Sequence, residues 1–359
     1  MQTKRKYILY AVTGVCLAVL AVLKYVGYQE TAWWYLFLLW GAMLTGFVMQ
    51  PLVKSSFPGT RDSKVVREPQ RHLQDHEVLM GYYAVAVLGV FIASLILSEP
   101  LLGKSIGSLF VAGNAYFWLA AITSGVLNVG IFYFFNKALR YGDLSIVVVM
   151  QSLFPIAALP ISFIFYNYLG WIIPDPSVSR WGIIGIALIL GAVAFSGFTQ
   201  KTSKKEFPPE NDWLAHHPRM SVLLSSLFAA VAVNCDKVAV SAGNPFLAGV
   251  VILGTVALVT FAWTTIRGGV ARVQYVFSRY ARQFLLLGFV YAGIIVVMNT
   301  TLLMGNVNYY GTVKTISLVF ASFYGLYVLS EGIDIRQKFM RLLVSLVVVG
   351  GVFLIVVKG

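Results

Sequence analysis

Three charged side chains stand where a bilayer would penalise them: Asp236 and Lys237 in the run VNCDKVAV, and Lys314 in TVKTIS. A cation that faces lipid at the centre of a spanning helix costs about 2.5–3.5 kcal/mol. Lys314 is therefore expected either to face a cavity, where a phosphate or carboxylate would meet it, or to snorkel to the outer interface beside Tyr309 and Tyr310. Asp236 has three readings. It can pair with Lys314 or Lys237, it can titrate as a carboxylate that couples proton movement to substrate movement, or, with Lys237, it can mark the outer end of its helix before Gly243 and Asn244. Neighbouring residues on a helix point about 100° apart, so Asp236 and Lys237 need not pair with each other.

Four amides lie in the same kind of surroundings: Asn136, Gln151, Asn234 and Asn299. An amide at membrane depth takes its partner either from a neighbouring helix, worth about 0.6 kcal/mol, or from a polar solute in a cavity. The candidate substrate-binding set is thus Asn136, Gln151, Asn234, Asn299 and Lys314, with Asp236 as the candidate coupling group. No paired carboxylates, histidine cluster or nucleophile with an adjacent base stands out, so no catalytic residue is assigned and enzyme activity is not expected. His72 and His76 are spaced i, i+4 and His216 adjoins His217, but neither pair has a third ligand at a definite spacing. They read as solvated loop residues, and neither a metal nor a cofactor is expected. Cys16 and Cys235 both sit inside apolar runs and support no disulfide framework.

These residues need long apolar helices to hold them, and the composition supplies such helices. Of 359 residues 58% are hydrophobic and only 11% charged, and the mean hydropathy is +0.79. One water-soluble core cannot hide that much apolar surface. Spanning the hydrocarbon takes about 20 apolar residues, and eleven such runs are expected: 7–26, 33–53, 78–98, 111–138, 144–168, 181–199, 220–242, 245–266, 283–305, 309–330 and 339–357. The expected fold class is an all-α polytopic membrane protein.

The net charge of +13 is explained by where the cations fall. With a cytoplasmic N-terminus and alternating spans, most of the 27 Lys and Arg lie inside, at Lys4–Lys6, in loop 54–77, at Lys137 and Arg140, in 200–219, from Arg267 to Arg282, and from Arg336 to Arg341. That bias obeys the positive-inside rule, so the lipid bilayer is the expected partner and nucleic acid is not. The location expected is the cell (inner or plasma) membrane. The basic start MQTKRK followed by an apolar run resembles a secretory signal, but without a small-residue cleavage site it reads as a retained signal-anchor helix over 1–32.

Residues 125–145 and 288–308 read as one element written twice, 163 positions apart. Gly125 matches Gly288, Gly130 Gly293, Asn136 Asn299, and Gly142 Gly305; the same offset sets Asn128 against Tyr291 and Gln151 against Lys314. The hydrophilic stretch KTSKKEFPPENDW lies within a cytoplasmic linker, 200–219, that divides a first five-helix repeat, 33–199, from a second, 220–359. Five is odd, so the copies must enter the membrane from opposite faces. Inverted repeats place a substrate site near the midplane between them, and Asn136 and Asn299 are expected to face each other around that centre. Gly125, Gly130, Gly288 and Gly293 should let helices approach closely, and Pro155 and Pro160 should break the regular bonding of their helix.

ALRYGDLSIVVVMQSLFPIAALPISFIFYNYLG (138–170), followed by WGIIGIALILGAVAFSG (181–197), resembles the third to fifth helices of a repeat in the drug/metabolite transporter superfamily, of the EamA-like kind. The second half is similar through 311–355, with Glu331 at the position of the family's "L-x-E" helix end. TVKTIS resembles, more weakly, the nucleotide-sugar and triose-phosphate branch, where a Lys or Arg in that helix meets a phosphate. The chain departs from the family in its extra first helix, which puts the C-terminus outside, and in Tyr168, which stands where the first repeat's glutamate would be. The resemblance implies a secondary-active transporter of a small polar or anionic metabolite, with a small-molecule substrate as partner and a monomer or dimer equally open. A flippase for a lipid or lipid-linked substrate is the alternative, and a non-transporting scaffold or receptor a further one.

Overall fold

The computed structural model describes residues 73–102, 114–142, 147, 150–151, 153–169, 180–199, 212–303 and 334–358. The expected spans at 7–26, 33–53 and 309–330, the linker up to residue 211, and Lys314, Glu331 and His72 lie outside the described residues. What is described is almost entirely helical. In chain order the helices are α1 Asp75–Leu102, α2 Ala115–Tyr141, α3 Phe154–Leu169, α4 Arg180–Thr199, α5 Trp213–His216, α6 Pro218–Ala242, α7 Pro245–Leu303 and α8 Ile335–Lys358. Asp75–Leu97, Ala115–Leu139, Pro218–Ala242 and Pro245–Thr300 are each long and apolar enough to cross a membrane.

Three boundaries differ from expectation, each for a local reason. α1 begins at Asp75, so Asp75, His76 and Glu77 form its buried first turn rather than the end of a solvated loop. The Glu77 carboxylate accepts from the Gln74 amide at 2.8 Å, the reach-back half of a capping box, and an acidic first turn suits the helix dipole. The expected span 144–168 is interrupted just ahead of Pro155: residues 150–151 are helical, Leu153 is in a turn, and a new helix begins at Phe154. α3 starts at Phe154, so Pro155 lies in the first turn, where a missing N–H costs nothing; Pro160 alone sits in the helix interior.

The third difference is the largest. The loop expected between spans 245–266 and 283–305 is helical, and α7 is interrupted only at Gly269, with φ 69° and ψ 175°. That left-handed backbone favours glycine. Beyond it, Val273, Val276, Tyr280 and Phe284 recur at three- and four-residue spacing, with Val273, Val276 and Phe284 buried. This apolar stripe turns a basic, loop-like sequence into the first turns of a helix. Residues 270–303 are about 51 Å long at 1.5 Å per residue, well beyond a hydrocarbon core of about 30 Å.

The helices pair in a consistent pattern. Gly81, Val85 and Gly89 of α1 face Phe284, Gly288 and Ala292 of α7, so α1 runs parallel to the second part of α7. Phe117 meets Gly243 and Gly125 meets Ile252 and Thr255, so α2 runs parallel to the first part of α7. α2 and α6 are antiparallel, with Gly130 against Phe228 and Ser225 donating to the Ile131 carbonyl at 2.9 Å. α3 packs on α6, and α4 on α8.

Two of these contacts are reciprocal. A Cβ added at Gly125 would lie 2.9 Å from the Ile252 carbonyl oxygen and against Thr255, three residues on; one added at Gly288 would lie 2.8 Å from the Tyr82 carbonyl oxygen and against Val85, again three residues on. Glycine is required at both places by backbone proximity.

Candidate functional site

The interior polar groups collect where α2, α6, α1 and the second part of α7 meet. Ser124 donates its hydroxyl to the Asp236 carboxylate across the α2–α6 contact. Asn128, one turn along α2, donates its amide to the Ser124 carbonyl at 2.9 Å and to its hydroxyl at 3.1 Å. Tyr83 and Tyr291 hydrogen-bond through their hydroxyls at 3.1 Å. The Tyr82 and Phe132 rings pack edge-on to Tyr291, and the Asp236 carboxylate acts electrostatically on the Tyr291 phenol. A carboxylate, hydroxyls and amides are thus set among aromatic rings, an arrangement able to hold a polar solute by hydrogen bonds while its apolar part stacks.

The expected site residues divide. Asp236 belongs to this centre. Asn234, only two residues before it on α6 and so about 200° around the helix, faces away from this centre: it is buried, accepts from Ser162 of α3 at 2.9 Å and donates to the Ala230 carbonyl at 2.9 Å. Lys237 turns elsewhere, as helix geometry requires of a neighbouring residue. Its ammonium donates at 2.8 Å to the Leu302 carbonyl near the end of α7, where a cation also complements the dipole. Gln151 is buried in the helical turn before Leu153.

Asn136 and Asn299 do not face each other. Asn299 donates to the Pro245 carbonyl at 2.9 Å and ties the two ends of α7 together near the Phe117–Gly243 contact. Asn136 is buried near the opposite end of α2, and its amide nitrogen finds no hydrogen-bond partner among the described residues. Along the α2 axis the two are on the order of 25 Å apart at 1.5 Å per residue. An inverted duplication of the expected kind would itself require this: an axis lying in the membrane plane sends a residue near one face to its mate near the other, and only residues close to the axis can meet.

The end of the bundle beside Asn136 carries a second polar assembly. Lys137 pairs with Asp212 at 2.8 Å and donates to the Tyr133 hydroxyl at 3.0 Å. Tyr133 packs on Trp263, which stacks on His76 with centroids 5.0 Å apart, and the Arg267 guanidinium lies 5.5 Å from the Trp263 ring. Glu77 of α1 holds Arg272 of α7 through both carboxylate oxygens. At Asp212, burial alone would raise the carboxyl, but hydrogen bonds from Lys137 and the Ala215 amide outweigh it and hold the group below its usual range. His76 is therefore a stacked interior ring rather than a loop histidine. Among the described residues no group of three His, Cys, Asp or Glu is placed to hold a metal ion. Tyr168, where the family resemblance leads one to expect a glutamate, is exposed near the end of α3.

Sequence reasoning missed Tyr82, Tyr83, Ser124 and Ser162, which look ordinary in apolar spans, and the Glu77–Arg272 pair. The one available signal was the 163-residue offset, which set Asn128 against Tyr291; both lie at this centre.

No protein-family model matches the chain, and neither does any curated protein. A solved structure described only as "Crystal structure of protein" superposes with a TM-score of 0.52 at 12% identity, covering 89% of this chain and 99% of that one. At that identity the likeness concerns the fold alone.

Proposed function

We propose that the protein is a secondary-active transporter of the drug/metabolite type, moving a small polar or anionic metabolite by alternating access between two inverted five-helix halves. The observation that carries this reading is the reciprocal glycine contact. Gly125 and Gly288, equivalent positions of the doubled segment, each dock on a carbonyl and the third residue after it in the other half. Mutual docking of that kind is what a pseudo-two-fold axis in the membrane plane requires. Asp236, Asn128, Ser124, Tyr83 and Tyr291 lie between the halves, at the depth where such transporters bind, and an intramembrane carboxylate there suits proton coupling. The assembly of Lys137, Asp212, Glu77 and Arg272 acts as the closed gate on the cytoplasmic side.

The test is uptake by purified protein in liposomes, with a metabolite panel chosen by thermal shift, against protein-free vesicles. Saturable, gradient-dependent uptake is expected. Transbilayer movement of a labelled phospholipid without metabolite uptake would assign a flippase instead, and neither activity would leave a scaffold.

A further inference from the structure

The helical collar that replaces the expected loop carries a basic stripe that the transport reading does not use. Arg282 is exposed, and Leu285, Leu286 and Phe289, at i+3, i+4 and i+7 on the same face of α7, are 49%, 54% and 52% exposed. Residues at those spacings form one continuous strip, so the guanidinium stands about one turn below side chains that face acyl chains. Arg279, also exposed, flanks it one turn earlier. Arg272, by contrast, is held by Glu77 and faces inward. The collar at 270–282 contains no Asp or Glu, so nothing on its own helix neutralises Arg279 or Arg282.

Two exposed guanidiniums directly beneath an exposed apolar strip match the two parts of a phospholipid at the boundary between headgroup and hydrocarbon. A planar guanidinium takes phosphate in bidentate fashion, and each basic residue near an anionic surface contributes about 1 kcal/mol. We propose that Arg279 and Arg282 form a binding site for an anionic phospholipid headgroup, whose acyl chains lie along Leu285, Leu286 and Phe289. The lipid then grips α7 along the face that flanks its contact with α1, where Phe289 borders Gly89, and holds the helix that carries Tyr291.

Native mass spectrometry of the full chain with equimolar phosphatidylglycerol and phosphatidylcholine tests this directly and independently of transport. Wild type retains phosphatidylglycerol at least fivefold over phosphatidylcholine, R279Q/R282Q loses that preference, and R279K/R282K keeps part of it. Equal retention of both lipids by wild type, or an unchanged preference in R279Q/R282Q, overturns the site. If inorganic phosphate at millimolar concentration strips phosphatidylglycerol from the protein, the stripe recognises free phosphate and the lipid assignment fails. Should R279Q/R282Q aggregate, salt decides on wild type: the preference falls severalfold between 0.05 M and 0.5 M NaCl, and indifference to salt rejects the proposal.

Discussion

Glu77 and Arg272 meet in a two-point pair, Nε to Oε1 at 2.6 Å and Nη2 to Oε2 at 2.9 Å, between the first turn of α1 and the collar of α7. Only 2% of the Glu77 side chain is exposed against 22% of Arg272, so the carboxylate depends on its partner more than the guanidinium does. Glu77 also accepts from the Gln74 amide, so one side chain starts a helix and ties it to another.

Replacing Arg272 with Ala should therefore be the more damaging of the two deletions. It strands a buried carboxylate, at a cost of about 3 kcal/mol, whereas Glu77→Ala releases a guanidinium that can turn to water. Thermal unfolding in detergent measures both. Equal losses would refute the asymmetry, and no loss in either variant would show that the pair does not hold α1 to α7.

Gly125→Val and Gly288→Val should destabilise by similar amounts, about 1–3 kcal/mol each, because both would press against a backbone carbonyl. Gly293→Ala is the control, since a Cβ there meets nothing within 4 Å. A tolerated valine at Gly125 or Gly288 would undo the reciprocal docking on which the transport reading rests.

Asp236→Asn should abolish the response of uptake to an imposed pH gradient, while counterflow under equal pH persists. Ser124→Ala, which removes the hydroxyl donor to that carboxylate, should shift the pH profile without abolishing it. Unchanged gradient dependence in Asp236→Asn would remove Asp236 from the coupling role.

The Lys137–Asp212 pair has a defined pH signature. A carboxyl held below its usual value when folded stabilises the fold fully above the ordinary Asp value of about 3.9, and loses that contribution as pH falls through the folded value. Melting curves of wild type and Asp212→Asn should stay apart from pH 7 to about pH 5 and converge below about pH 4. A gap that persists at low pH would assign the loss to capping of α5 rather than to charge.

How much of this was legible in the sequence depended on distance along the chain. α2 and α6 were bounded to within a few residues because apolar runs with sharp polar ends leave little choice, and Asp236 and Asn234 drew notice because lipid penalises them. The collar was misread because Arg272, Arg279 and Arg282 look like loop residues until Val273, Val276 and Phe284 are seen to share a buried face. Tyr83 acquires meaning only beside Tyr291, 208 positions away, and Ser124 only beside Asp236, 112 away. Neither pairing leaves a local trace. The facing of Asn136 and Asn299 was misjudged for a different reason: the expected inverted duplication would itself match residues in sequence while sending them to opposite faces.

Gly269 carries a mechanical implication. From the carbonyl donor helix to the docking glycine the chain takes 40 residues in one half, Val85 to Gly125, but 33 in the other, Thr255 to Gly288. In the shorter one, helix passes into helix through one left-handed residue, Gly269. The two parts of α7 thus meet at a single-residue joint, and Tyr291 is carried beyond it.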